Sequence, residues 1–247
     1  MTPVEVIETV AACLVIGSLI GSIGVGGILL LPWLTEIIGF GVREAVCIAM
    51  ASYLATGAGA IVQARLSSDG TIVRDYWPLL VSTLPGALLG AFAIAVVPEV
   101  LVLLVLAAFL ALTGLWTLVK HRLPERAVSA HRAGWPTGIG SGFASSITGT
   151  GGPAVMIPVL LWRGVPLLAA VALGQMVQLP IAAAATIGNL ASGPFDYIAA
   201  VIVGAALVPG VFLGRWLALR LPIDLITKIV AVVLVATGIV VAMRALQ

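Results

Sequence analysis

The chain has 247 residues, of which 61% are hydrophobic and only 9% are charged. Soluble domains carry about 25% charged residues, so a water-soluble fold of this length could not cover its surface, and we predict an integral membrane protein. The net charge of +2 and the aromatic fraction of 6% offer no basic surface for nucleic acid. Cys13 and Cys47 lie in apolar stretches, where we expect a packing role; they form neither a disulfide framework nor a zinc spacing.

The first long apolar segment covers residues 5–38 and is interrupted by the glycine-rich string SIGVGGILLLP, residues 22–32. One helical crossing of a bilayer core about 30 Å thick needs about 20 apolar residues. The segment is longer than one crossing, so it is either a long broken helix or a hairpin that returns to its starting side. The start of the chain lacks the Lys or Arg of a signal peptide, so we expect this segment to be retained.

Three plain apolar stretches follow at 44–64, 77–97 and 100–119, each long enough for one crossing. Their Leu, Val, Ala and Ile content, with Gly and Pro inside, is typical of membrane helices. The charged joint KHRLPERAVSAHRAG, residues 120–134, comes next and is the one strongly charged stretch of the sequence.

The second half repeats this order. A segment at 135–162 carries the break SSITGTGGPAVMIP, and plain stretches follow at 167–190, 197–218 and 224–243. We therefore divide the chain into a first membrane repeat at 1–119, a charged linker at 120–134 expected in the cytoplasm, and a second membrane repeat at 135–247.

Matched residues support this internal repeat. At an offset of 126, Ser22 meets Thr148 and Gly26 meets Gly152, and beyond the loop at 65–76 the offset falls to 124. Matches in Gly, Pro and hydroxyl residues, in order, seldom arise by chance in an apolar chain. The sequence is thus predicted to hold two copies of one unit of about 125 residues.

The distribution of Lys and Arg chooses between the two topologies, because cytoplasmic loops carry an excess of these residues. If every segment crosses once, the side with the charged joint holds seven and the other side five. If the two broken segments are hairpins, ten lie on the joint's side and only Arg43 and Arg244 on the other. Each copy then has an odd number of full crossings. We predict an all-α, polytopic membrane protein with two inverted repeats, each of one broken or re-entrant hairpin plus three transmembrane helices.

Inverted repeats with broken helices are typical of secondary transporters, whose substrate sites lie near the midplane. A half-helix of about 10 residues reaches the middle of the bilayer core. Pro153, directly after Gly152, restarts a helix whose first N–H groups have no internal acceptor. Such groups must face protein, water or a ligand, and together with the helix dipole they favour an anion. We expect the two breaks to meet and share one anion pocket.

Hydroxyl and amide side chains near the breaks extend this candidate site, because they can donate to sulfonyl or carboxylate oxygens without the cost of burying a charge. The alternative is that Gly, Ser and Thr only allow helices to pack closely. We prefer that alternative for the three Gly-x-x-x-Gly pairs that begin at Gly17, Gly86 and Gly210. Gln175 and Gln178 share a helix face by their spacing. No catalytic residue, metal ligand or cofactor is predicted, and the candidate substrate-binding residues are Ser22, Gly24, Gly26, Gly27, Ser52, Ser145, Ser146, Thr148, Gly149, Thr150, Gly151, Gly152, Gln175 and Gln178.

Two copies that each open with a glycine break (GSIGVGG and ASSITGTGGP) and carry PG…G in a later segment resemble the TauE/SafE sulfite exporter family. The resemblance covers nearly the whole chain. It implies a multi-pass transporter of the bacterial inner membrane for small sulfur-containing anions such as sulfite, sulfoacetate or other organosulfonates, working as an exporter. The second break is more polar than the first, with Thr150 and Pro153, so we expect an asymmetric pocket.

Other classes of function are weighed against this one. An anion channel could use the same breaks, and it would pass ion currents where a carrier saturates. An intramembrane enzyme would need a nucleophile–base pair or metal ligands, and both histidines, His121 and His131, lie in the joint. The expected partners are a small anionic substrate, the lipid bilayer and a coupling ion (proton or sodium). A homodimer is left open, and nucleic acid is not expected.

Overall fold

The computed structural model describes residues 3–24, 26–66, 76–93, 134–190, 195–220 and 222–245, together with 98, 100, 101, 104, 107, 108, 111, 112, 114 and 115. All regular elements in these ranges are helices, as predicted. They are α1 (Pro3–Ile23), α2 (Gly26–Ile37), α3 (Val42–Leu66), α4 (Trp77–Ala93), α5 (Trp135–Thr148), α6 (Pro153–Trp162), α7 (Leu167–Met176), α8 (Gln178–Leu190), α9 (Tyr197–Ala218) and α10 (Ile223–Ala245).

These helices are those of a polytopic membrane protein. The four helical spans Glu5–Ser22, Arg43–Ala64, Ala169–Leu190 and Tyr197–Ala218 are long and apolar enough to cross a bilayer, and shorter apolar helices accompany them. The predicted stretch 100–119, the charged joint and its two histidines lie mostly outside the described residues. The boundaries of the two repeats therefore stay a prediction.

One predicted crossing, 167–190, is divided in two. Helix α7 ends at Met176 and α8 begins at Gln178, with a turn at Val177 between them. Pro180 explains the break, because it has no N–H to donate to the carbonyl of Met176 four residues earlier. Gln175 and Gln178 lie on either side of this turn and contact different neighbours.

The first broken segment is a hairpin. The indole Nε1 of Trp33 donates to Thr9 Oγ1 at 3.5 Å, and Gly26 lies against the backbone of Ile16 and Ile20. Helix α2 therefore runs back along α1 toward its start, as the charge distribution predicted. Helix α1, with 21 residues, is longer than the half-crossing expected for this arm.

The direction of α5 comes from its close packing against α4. Gly138 lies against Leu79, and Gly142 lies against Thr83, so the two helices run parallel. Helix α6 follows after the glycine break and is joined to α7 by the short turn 163–166.

Helix α4 in turn runs parallel to the α7–α8 pair. Near its start Leu80 packs against the cluster of Ala64, Ala172 and Met176, and near its end Ala91 approaches Gly188. Helices α5 and α7 therefore point the same way with α6 between them, so α6 must return along the direction from which α5 came. The second broken segment is a hairpin as well.

The two copies are inverted relative to each other. Helix α3 and the α7–α8 pair occupy equivalent places in the repeat, and they lie side by side in opposite directions. Thr56 is hydrogen-bonded to Gln178, and Ala64 packs against Ala172. Equivalent helices that point in opposite directions are the property that defines an inverted repeat.

Glycines seat the hairpins of one copy against helices of the other. Gly17 and Gly21 of α1 lie against the backbone of Leu207 and Val211 in α9, and Gly86 of α4 lies against the carbonyl of Ile139 in α5. The packing role preferred for these Gly-x-x-x-Gly pairs is confirmed, and such contacts let helices approach to backbone distance. The two free thiols, Cys13 and Cys47, are buried in the apolar interior, as expected.

Basic residues are concentrated at one end of the helices, where Asp224 in the first turn of α10 accompanies them. We call this end of the molecule the basic end; α6 and α9 end there, and α10 begins there. Its described basic residues are Arg163, Arg215, Arg220 and Lys228. The opposite end holds Arg43 and Arg244 together with the acids Glu5, Glu36, Glu44 and Asp196. The excess of Lys and Arg in cytoplasmic loops makes the basic end the expected cytoplasmic side.

Single cysteines test this orientation. We expect Phe40→Cys and Ala245→Cys to react with a membrane-impermeant maleimide added to intact cells, because both lie at the acidic end. Arg163→Cys should react only after permeabilisation, because the second hairpin returns to the basic end. The buried Cys13 and Cys47 should give little background. Labelling of Arg163→Cys in intact cells would contradict the hairpin topology.

A glycine-to-alanine pair tests the packing between copies. A Cβ at Gly86 would collide with the carbonyl of Ile139, whereas nothing lies within 4 Å of a Cβ at Gly140 of the partner helix. We expect Gly86→Ala to lower the free energy of unfolding by about 1–3 kcal/mol through overpacking. Gly140→Ala should leave it unchanged or slightly raise it. Thermal unfolding of the purified variants in detergent measures both, and equal midpoints would show that the close approach is unimportant.

Candidate functional site

The two glycine breaks, here called elbows, meet inside the protein. The first elbow is residues 24–27 and the second is residues 149–152. Gly27 lies against the carbonyl of Thr150 and the hydroxyl of Tyr53, and Gly24 lies against Pro153. Tyr53 is close to the midpoint of the long helix α3, so the elbows meet at about half its height. The predicted meeting of the two breaks is thus present in the fold.

The second elbow has a backbone that requires glycine. Gly149, Gly151 and Gly152 have φ values of +68°, +75° and +122°, and side chains with a Cβ rarely adopt such angles. The amide groups of Gly149 and Thr150 both donate to the carbonyl of Ser145, which closes the end of α5. The glycine string is therefore needed to end one helix and begin the next within four residues.

Three amide groups of this elbow are left over. The N–H groups of Val155 and Met156 donate to the carbonyl of Gly152, and Pro153 has no N–H. The N–H groups of Gly151, Gly152 and Ala154 have no hydrogen-bond acceptor within the described part of the chain, although all three residues are buried. Buried backbone donors are nearly always paired, so this group is suited to an acceptor that the protein itself does not supply.

Side-chain donors lie beside these amides. The side-chain Nε2 of Gln178 has no partner, and it lies 3.1 Å from the position that a Cβ on Gly151 would take. Its Oε1 accepts from Thr56 at 3.0 Å, which fixes the amide with its NH₂ toward the elbow. The hydroxyls of Ser145 and Ser146, in the last turn of α5, are also buried and unpaired. These donors are neutral, buried and close to one another.

The remaining hydroxyls of this elbow are bonded to one another or to the helix. Thr148 Oγ1 donates to the carbonyl of Ala144 at 2.8 Å, and it lies 3.0 Å from Thr150 Oγ1. Thr148 therefore holds the end of α5 together, and its neighbour Thr150 completes the turn.

Several predicted site residues serve the scaffold instead. Ser22 donates to the carbonyl of Ser18 at 2.7 Å within its own helix. Ser52 donates to Ala200 O at 2.9 Å and so ties α3 to α9. Gly26 packs on the backbone of α1. Among the described residues, buried polar side chains without a partner lie beside the second elbow (Ser145, Ser146 and Gln178) and not beside the first, in agreement with the expected asymmetry.

Gln175 also has its donors engaged. Its Nε2 donates to Ile20 O at 2.8 Å and to Gly21 O at 3.0 Å, which are carbonyls at the end of α1. The end of a helix leaves carbonyls without intrahelical partners, and this side chain satisfies two of them. Gln175 therefore caps the first hairpin arm, whereas Gln178 alone presents a free NH₂ to an elbow.

Tyr53 belongs to the site, although the sequence did not single it out. Its side chain is fully buried, and its hydroxyl donates to the carbonyl of Gly27 at 2.7 Å. Its aromatic ring is in contact with Gly151. One side chain thus contacts both elbows and holds them together. A polar aromatic residue in the middle of an apolar crossing, next to Ser52, is the signal that could have identified it.

Replacing Tyr53 with Phe tests this link. The variant keeps the ring but leaves the buried Gly27 carbonyl without its donor, so we expect a loss of about 1–3 kcal/mol in stability. Tyr197→Phe removes the same hydroxyl from an exposed residue and should have no effect. Thermal unfolding of both variants decides, and an unchanged midpoint for Tyr53→Phe would mean that its hydroxyl does not hold the elbows.

Comparison with known proteins agrees with the geometry. The family model described as Sulfite exporter TauE/SafE matches residues 9–241, which is nearly the whole chain and includes both elbows. No curated protein and no solved structure gives a significant match. The chain belongs to the TauE/SafE sulfite exporter family, a family of membrane transporters.

Proposed function

We propose that the protein is a secondary transporter that exports small sulfur-containing anions, such as sulfite, sulfoacetate or other organosulfonates, across the bacterial inner membrane. The observation that carries this proposal is the group of buried donors without acceptors at the second elbow: three amide N–H groups and the NH₂ of Gln178. An oxyanion with several oxygen atoms can accept from donors that converge on one place.

Neutral donors suit this task better than a fixed positive charge. A buried Lys or Arg would bind a passing anion tightly and would itself cost several kcal/mol to bury without a partner. Backbone amides at a helix start and a side-chain amide bind an anion through their dipoles, as in other helix N-terminal anion sites. A transporter must release its substrate, and sites of this kind allow release.

The contact between the elbows favours a carrier over a channel. Gly27 is in direct contact with the Thr150 carbonyl and with Tyr53, so an anion at the second elbow has no open path past the first. The elbows must separate before the anion can leave on the other side. In an inverted repeat such a movement exposes one central site to each side in turn, which is the alternating access of secondary transporters.

The charge distribution fits export. An anion inside the cell meets the basic end, and after release it faces an end with several acids. Surface charges of this kind raise the local concentration of an anion on one side and lower it on the other. Proton or sodium coupling remains part of the proposal, and the described crossings carry no buried carboxylate that would identify the ion.

A flux assay tests the proposed substrate class. Proteoliposomes should be loaded in turn with radiolabelled sulfite, sulfoacetate, thiosulfate and sulfate, with and without a proton gradient. We expect saturable efflux of at least one sulfur oxyanion and no accompanying channel-like current. Absence of flux for every one of these anions would remove the substrate class, and a large unsaturated current would support the channel.

Gln178→Met tests the donor group directly. Methionine matches glutamine in length but removes both the bond to Thr56 and the free NH₂, and a hydrogen bond to a charged group is worth about 1.5–3 kcal/mol, so we expect a KM about tenfold to hundredfold higher. Thr186→Val is the matched control, because it removes another buried, unpaired polar group from the same helix α8, two turns away from the elbow. It should leave transport unchanged. An unchanged KM for Gln178→Met would contradict the site.

A further inference from the structure

A crevice at the basic end leads toward the elbows. It is narrow, with a cavity volume of about 10 Å³, which is room for about one water molecule. It lies between α3, α7 and α9, where Gln63, Gln175 and Arg215 supply its polar atoms and Ala60, Ala64 and Ala172 its apolar wall. Gln63 and Arg215 are in the last turns of α3 and α9, so the crevice is near the ends of these helices.

The inner wall of the crevice is one helical turn from the first elbow. Gln175 lines the crevice and at the same time donates to the carbonyls of Ile20 and Gly21, just before Gly24. A shift of α7 against α1 would break these two bonds and connect the crevice with the place where the elbows meet.

The equivalent place in the other copy is closed and uncharged. By the repeat offsets, Ala91 stands where Arg215 stands, Ala49 where Gln175 stands, and Asn189 where Gln63 stands. The Cβ of Ala91 is so close to Gly188 that a Cβ added to Gly188 would lie 2.6 Å from it. Among the described residues, therefore, the positive charge at this place is found in the copy that lines the basic end and not at the equivalent place of the other copy.

We propose that this crevice is the route by which the anion reaches the elbows from the basic end, and that Arg215 is the residue that selects negative charge there. The proposal rests on the proposed function. Arg215 is half-buried at the mouth, where its charge acts on a solute in the narrow crevice more strongly than on one in bulk water. The anion then passes to neutral donors deeper inside, so attraction and release are assigned to different residues.

Cysteine modification tests the route without any knowledge of the substrate. Gln63→Cys is placed in a background in which Cys13 and Cys47 are replaced by Ala. Its reaction rates are measured in purified protein with anionic sulfonatoethyl methanethiosulfonate and with cationic trimethylammonioethyl methanethiosulfonate. We expect the ratio of anionic to cationic rates to fall about fivefold or more in Arg215→Gln, which corresponds to a charge acting at short range in a solvated site.

Arg220 supplies the matched control. It carries the same charge at the same end but is exposed and stacks on Trp216, with its guanidinium carbon 3.9 Å from the ring centroid. Arg220→Gln should change the ratio by less than twofold, and Arg215→Lys should keep it. An equal fall in both Gln variants would overturn the proposal, because it would show a general surface potential. No fall in Arg215→Gln would overturn it as well.

A further measurement covers the case in which Arg215→Gln does not fold. In the Gln63→Cys variant that keeps Arg215, the ratio of anionic to cationic rates should decline as the salt concentration rises, because exposed charges are screened over about 10 Å at 0.1 M salt. A ratio near one at low salt, independent of ionic strength, would contradict the crevice as an anion route.

Transport separates this proposal from the proposed function. If a sulfur oxyanion is transported, Arg215→Gln should raise KM for the anion supplied at the basic end about fivefold and leave kcat within twofold, since the arginine acts before the anion reaches the elbows. A fall in kcat with KM unchanged would reject the role in recruitment. If none of the tested anions is transported while the labelling ratio behaves as expected, the substrate class fails and the anion route stands.

Discussion

Backbone N–H groups that have no acceptor inside an apolar protein constrain everything else in this molecule. A helix that restarts at Pro153 leaves such groups at Gly151, Gly152 and Ala154, and lipid cannot pair them. They must therefore be enclosed by protein, which is why the elbows are covered by Tyr53 and by each other. An enclosed group of donors without acceptors is also suited to an anion, so under the proposed function the requirements of folding and of binding are met by the same turn.

The inverted repeat supplies this enclosure. Each hairpin packs through glycines on a helix of the other copy, α1 on α9 and α5 on α4, so neither copy could hold its elbow in place alone. These contacts bring backbones together without large side chains between them. The same arrangement suits movement, because the two hairpins are held by different helices and meet only at the elbows and through Tyr53. Separation of the elbows would then need few contacts to break.

The two elbows are not equal, and the reason is local chemistry. The second elbow ends α5 with hydroxyls and follows with three glycines at positive φ, which leaves its donors open. In the first hairpin, Tyr53 and Gln175 donate to the carbonyls of Gly27, Ile20 and Gly21. The unpaired polar side chains of the described residues are therefore on the side of the second elbow, while side chains of other helices bind the carbonyls of the first hairpin.

The sequence by itself determined the class of protein and the position of the two glycine breaks; it also predicted two copies and favoured hairpins over broken crossings. These follow from apolar length, the Lys and Arg distribution and the matched Gly and Pro residues, all of which are local or one-dimensional properties. Only the tertiary structure decided which polar side chains stay open. Gln175 and Gln178 look equivalent in the sequence, yet one side chain contacts the end of α1 and the other lies at the second elbow. Whether a donor is free depends on the residue that faces it in space, which is often more than one hundred positions away in the sequence. The spacing of residues along the chain does not show which residue that is.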